Sequence, residues 1–147
     1  MKNLLYTVII ALCALLASCM QNDGNIGYLY GQWRLEHVDY NEIESECDTV
    51  FFAFQSNLFK IQRVLYNSYD YVVFMGLYEH HDDYLQLNIY NHNGQDAVSQ
   101  EQKQAMLNDL VSLHIDTVSP LFQVLELNNQ YMTLQYNDYK YFFKKLN

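Results

Sequence analysis

Few side chains in this 147-residue chain are grouped in a way that could do chemistry. The densest run is Glu79-His80-His81-Asp82-Asp83, in which every residue can ligate a metal ion. Adjacent residues on a strand point to opposite faces, whereas a zinc site needs converging ligands with others supplied from elsewhere. The run reads as a solvated hairpin turn, and no metal is assigned. Cys47 lies among Glu44, Glu46 and Asp48, whose charges disfavour the thiolate a nucleophile requires. It reads as a small, buried or half-buried residue at the start of a strand, with an intermolecular bridge or a reactive thiol as the alternatives. The sequence has no Gly-rich phosphate loop and no nucleophile elbow. Acid–base pairs can be assembled from 17 carboxylates in many ways, so none is singled out. The expectation is a protein without catalytic residues or cofactor.

The third candidate for chemistry is Cys19. Met1-Lys2-Asn3 supplies one positive charge, and Leu4 to Leu16 is apolar apart from Tyr6, Thr7 and Cys13. This is the pattern of an export signal, and it is short for a membrane-spanning helix, which takes about 20 residues. The residues that follow, Leu16-Ala17-Ser18-Cys19, match the bacterial lipobox, and the segment resembles the signal of bacterial lipoproteins. That resemblance implies cleavage after Ser18 and acylation of Cys19, so residues 1–18 are expected to be a lipoprotein signal peptide. Acyl chains such as palmitate would then anchor the protein to a membrane without a spanning helix. Cys13 is lost and Cys19 carries lipid, so Cys47 has no intrachain disulfide partner in the mature chain.

Charge narrows the partners. Eight Lys and Arg stand against 17 Asp and Glu, a net charge of -9. Nucleic-acid binding needs a basic face to displace phosphate counterions, so no nucleic-acid partner is expected. Loss of Lys2 with the signal leaves -10, and acidic surfaces repel anionic lipid. Residues 19–28, polar and containing two glycines, therefore read as a lipidated N-terminus and tether holding the domain away from the bilayer. Met20 stands where an Asp would be an inner-membrane retention signal. The expected location is the cell envelope of a Gram-negative bacterium, at the outer membrane, with its periplasmic or surface face undecided.

What would position any site is a single domain, residues 29–147. Half of the residues are hydrophobic and only 17% charged, which excludes a disordered body. Its 14 Tyr and 8 Phe favour strands. Alternating apolar runs predict eight strands, near 32–40, 50–55, 58–66, 71–78, 84–90, 122–127, 131–136 and 139–146. Ser56-Asn57, Asn128-Asn129 and Asn137-Asp138 read as two-residue hairpin loops, whose residue types tolerate positive φ. Such loops place Leu125, Leu127, Met132, Leu134, Tyr136, Tyr139, Tyr141 and Phe143 on one face, and Val50, Phe52, Phe54, Phe59, Ile61 and Leu65 on another, where Arg63 is the exception. Between the fifth and sixth strands, residues 99–114 carry Met106, Leu107, Leu110, Val111 and His114 at helical spacing, with Ser99 as N-cap and Gln102 as its capping-box partner. The strand at 71–78 is apolar on both faces, and the helix is the nearest candidate to cover it outside.

This all-β pattern, an eight-stranded antiparallel up-and-down meander opening on Gly31-Gln32-Trp33, resembles the lipocalins and the small lipocalin-like lipoproteins of Gram-negative bacteria. The resemblance implies a barrel with Trp33 on its floor, under a basic side chain of the last strand; here Lys144 or Lys145 stands where the family usually has Arg. The helix falls between the fifth and sixth strands, whereas the family places it after the eighth. In such a barrel the Ser56 and Asn128 turns share the closed end, and the helix becomes a lid over the mouth. His37, Val50, Arg63, Gln123, Tyr136 and Tyr139 are the expected inward residues there, with Arg63 the anchor for an anionic head group. Two functions remain: a non-enzymatic carrier of a small hydrophobic or amphipathic ligand, or a filled barrel that contacts an envelope protein through outward tyrosines such as Tyr84, Tyr90 and Tyr131. A hollow interior favours the first and a filled one the second.

Overall fold

A computed structural model describes residues 27–40, 43–46, 49–65, 68 and 70–146. Cys19, the segment before it and Cys47 lie outside the described residues. Ten strands and one helix follow in order: β1 (Gly31–Tyr40), β2 (Ile43–Glu46), β3 (Thr49–Gln55), β4 (Leu58–Val64), β5 (Tyr71–His81), β6 (Tyr84–His92), β7 (Gln95–Asp96), α1 (Gln100–Val111), β8 (Leu121–Leu127), β9 (Tyr131–Tyr136) and β10 (Tyr139–Leu146). All pairings are antiparallel. β1, β3, β4, β5, β6, β8, β9 and β10 form one circuit, closed where β1 meets β10 from Gln32↔Leu146 to Tyr40↔Tyr139. The result is the eight-stranded up-and-down barrel. β2 pairs only with the last four residues of β1, and β7 only with the end of β6. No helix among the described residues is long and apolar enough to cross a membrane.

Local sequence accounts for the turns. Ser56, Asp82 and Asn137 take positive φ (54°, 49° and 51°), which lets two-residue loops follow the right-handed twist of their strands. The loop at Asn128 is longer than the two residues expected. Asn128 Oδ1 accepts hydrogen bonds from the backbone N–H groups of Gln130 (2.9 Å) and Tyr131 (2.8 Å), so Asn128–Gln130 closes as an Asx turn and Leu127 pairs with Met132.

The ladder register shifts at three places: between β5 and β6 at Met75/Gly76, and at two bulges, in β1 and β8, that re-aim side chains. In β1 the register against β10 shifts between Leu35 and His37, with Glu36 as the extra residue. Trp33 and Leu35 point inward below the shift and Val38 above it, which turns His37 outward. In β8 the shift falls between Val124 and Glu126, so Phe122 and Val124 face the core while Gln123 and Leu125 face solvent. The expected inward face of this strand is thereby corrected. The expected helix cover over β5 is corrected as well: Tyr71 and Leu77 are exposed on its outer face, and the helix packs elsewhere.

The floor is built on Trp33. Its indole N–H donates to the Leu29 carbonyl (2.8 Å), and Lys145 Nζ lies 4.9 Å from the ring centroid. Nζ also donates to the Tyr28 carbonyl (2.7 Å), and burial pulls the lysine pKa down. Of the two lysines expected there, Lys145 packs on the tryptophan. Among the described residues the core runs from Leu29 to Phe143.

Candidate functional site

The mouth lies at the opposite end, where α1 and the residues after it close over the barrel. Ser99 caps the helix: its Oγ accepts from the Gln102 backbone N–H (3.1 Å), and Gln102 Oε1 accepts from the Ser99 N–H (2.9 Å). At the other terminus Ile115 N–H donates to the Leu110 carbonyl (3.2 Å) and His114 N–H to the Val111 carbonyl (2.9 Å), with His114 left-handed at φ 60°. This is a Schellman-type stop, sealed by apolar contact across the turn. Met106, Leu110, Leu113 and Ile115 are all buried in the same core as the barrel side chains. The helix therefore acts as a lid whose apolar side plugs the mouth.

Polar contacts fasten the lid to four strands. From β4, Arg63 Nη1 donates to Ser112 Oγ (2.6 Å), and that hydroxyl donates to the Asp109 carbonyl (2.5 Å). From β6, His92 Nε2 lies 2.9 Å from Asp109 Oδ2, while the His92 ring stacks on Phe74 at 5.3 Å. From β9, Tyr136 donates a short hydrogen bond to Asp116. Burial pushes the Tyr136 pKa up to about 12, assisted by the hydrogen bond to Asp116 and that carboxylate's charge. From β10, the buried Tyr141 hydroxyl donates to the Leu113 carbonyl (2.8 Å), and Tyr139 stacks on His114 at 4.3 Å.

Of the expected mouth residues, Arg63, Tyr136, Tyr139 and Val50 do come together at this end. His37 and Gln123 do not. His37 stacks on Phe142 outside the barrel, centroids 4.4 Å apart, because of the Glu36 bulge. Gln123 is exposed because of the bulge in β8. Asp109, Ser112 and Asp116, which receive the strand contacts, were not anticipated. A carboxylate in the last turn of an amphipathic helix and a hydroxyl and a carboxylate just past its end are the available signal. His80 and His81 fall on opposite faces of β5, and His81 Nε2 lies 3.6 Å from Glu79.

Below the lid the described side chains pack against one another. A void large enough for a ligand would leave accessible surface on the side chains lining it. Trp33, Phe52, Ile61, Phe74, Leu85, Leu87, Phe122, Met132 and Leu134 retain 1% or less. Phe52 packs on Phe143 at 4.8 Å, and Phe122 on Tyr141 at 5.7 Å. A cleft of about 300 Å³ lies between the β6–β7 hairpin and the start of α1, lined by His92, Asn93, Asp96 and Gln102 among others.

A closed eight-stranded antiparallel barrel with a single helix is a lipocalin-like fold. The sequence profile described as a lipocalin-like domain matches residues 14–146, and the chain belongs to that family. Among solved structures it is similar to a lipocalin-like protein from Bacteroides uniformis ATCC 8492, with TM-score 0.65 and 21% identity, covering 82% of this chain and all of that one. It is also similar to an uncharacterized protein from Bacteroides eggerthii DSM 20697, with TM-score 0.61 and 26% identity, covering 80% of this chain and 98% of the other. No curated protein matches the chain significantly.

Proposed function

We propose that this is a non-enzymatic lipoprotein of the Gram-negative cell envelope, anchored through acylated Cys19, whose filled barrel is a rigid body for contacting another envelope protein. The observation that carries this reading is the interior packing: the described side chains below the lid are buried against one another, and a body packed with its own aromatic side chains leaves little space for a second molecule. Its outer face on β6, β8 and β9 exposes Tyr84, Leu121, Leu125 and Tyr131. Rigid tyrosines on a packed scaffold make good contact anchors, because little side-chain entropy is lost when they are covered.

A second reading keeps a ligand in the mouth. Arg63 already bonds a hydroxyl at the lid's edge, and an amphipathic molecule could displace the lid, giving its head group to Arg63 and its tail to the space vacated by Leu110 and Ile115. Native mass spectrometry of the full chain extracted from membranes separates the two. The contact-protein reading expects polypeptide plus the acyl groups on Cys19 and nothing more. A further stoichiometric lipid mass, lost in Arg63→Ala, would overturn it in favour of the carrier.

A further inference from the structure

The strand register places an acid-free block on the outer surface of this acidic protein. Three successive rows of outward positions run across the barrel near its floor: Lys144–Arg34–Phe51–Gln62–Val73, Leu146–Gln32–Ala53–Lys60–Met75, and Gln55–Leu58–Leu77. None of the chain's 17 carboxylates falls in them. Arg34, Lys60 and Lys144 do. Glu36, the bulge residue above, lies with Oε1 3.3 Å from Arg34. Leu58 is 50% exposed, Leu77 41% and Tyr30, where the chain enters β1, 52%. Exposed leucine and tyrosine beside lysine and arginine is the composition of a membrane-interface contact. The outer face of β6, β8 and β9 exposes apolar residues too but carries no Lys or Arg, so the two faces differ in the charge of the partner they fit.

We propose that this block rests on the anionic bilayer surface that holds the lipidated N-terminus. The inference builds on acylation of Cys19. Seven residues lie between that cysteine and Gly27, so the anchor lies within about 30 Å of Gly27, close to where the chain joins the block. A tether that short holds the block at high local concentration beside lipid. The net charge of -10 predicted a domain held off the membrane; the block is the local exception. Glu79, Asp82 and Asp83 begin one row beyond Leu77, so the contact is confined to the side of β10, β1, β3 and β4.

The test uses the chain from Met20 onward, which contains the whole core and no lipid, sedimented with vesicles of phosphatidylglycerol and phosphatidylcholine or of phosphatidylcholine alone. Salt-sensitive pelleting with the anionic vesicles only is expected. Lys60→Glu and Lys144→Glu should each lower the bound fraction about fivefold or more, and Lys140→Glu at the mouth end of β10 should leave it unchanged. Absence of binding, or an equal loss in all three variants, overturns the proposal. Sedimentation velocity of the chain without vesicles supplies the other overturning result: a dimer that Leu58→Asp dissociates, in a chain that does not pellet, assigns the face to a second copy. Cys19 acylation is read separately from the mass of the membrane-extracted full chain, so either reading can fail alone.

Discussion

Arg63 on the inner wall of β4 and Ser112 just past the end of α1 are joined by a 2.6 Å hydrogen bond, although 49 residues separate them in the chain. Replacing Arg63 with Ala removes a charge-assisted bond, and about 1–2 kcal/mol should be lost. The loss is expected to be local. Amide exchange in residues 106–115 should quicken several-fold while that of β5 and β6 stays as before. Equal rates in the lid would show that its apolar plug alone holds it down.

Tyr136 gives the lid a dependence on high pH. Its folded pKa, about 12, lies above the ordinary value of 10.0, so folding favours the protonated phenol. The stabilisation is complete below pH 10 and disappears as pH rises to 12, because only the unfolded chain releases its proton in that interval. Ultraviolet titration should place this phenol well above an ordinary tyrosine. Asp116→Asn should move it part of the way back, leaving the share due to burial. A phenol that titrates near 10 in the intact protein contradicts the short contact with Asp116.

Gly76 allows β5 and β6 to approach at their bulge. A methyl group there would overlap the Asn88 carbonyl oxygen and lie 2.8 Å from the Phe59 ring. Since the obstacle is backbone, Gly76→Ala should cost about 2–4 kcal/mol, at or above the usual range for overpacking. Urea unfolding checks this, and an unchanged midpoint would refute it.

Trp33 unites the floor with the segment before β1. Trp33→Phe keeps an aromatic ring but leaves the Leu29 carbonyl without its donor, in a position where both residues are buried. A cost of about 2–3 kcal/mol is expected, from the unmet acceptor and the lost ring volume. Thermal unfolding of the variant measures it; a shift of less than a degree would mean that the backbone rearranges to satisfy Leu29 elsewhere.

The barrel was legible because its two information-rich signals are local. Period-two alternation gave every barrel strand, and the residue types at Ser56 and Asn137 gave turns with the φ they needed. The pairing of β9 with β10 and of β3 with β4 follows directly from those loops. What the alternation could not carry was the position of a bulge. One additional residue at Glu36 and another at Leu125 invert the faces beyond them, which is why His37 and Gln123 were expected inside and lie outside. Bulges depend on how a strand must bend against both neighbours, and no residue type at Glu36 or Leu125 announces one. β2 was missed for a related reason, since it is four residues long and pairs with one neighbour only. The lid was readable as an amphipathic helix, but its partners on β4, β6, β9 and β10 are set by tertiary packing.

The seam between β1 and β10 joins residues 99 to 114 positions apart in the chain, and every other strand lies between them. Such a pairing can form only after nearly the whole chain is available, and loop-closure entropy delays it until the intervening hairpins exist. Folding should therefore be slow for a chain of this size, with the two edge strands the last to find each other. Until they do, both present unpaired backbone to any neighbouring chain, so a newly made copy is most exposed to misassembly in the interval before its final strand arrives.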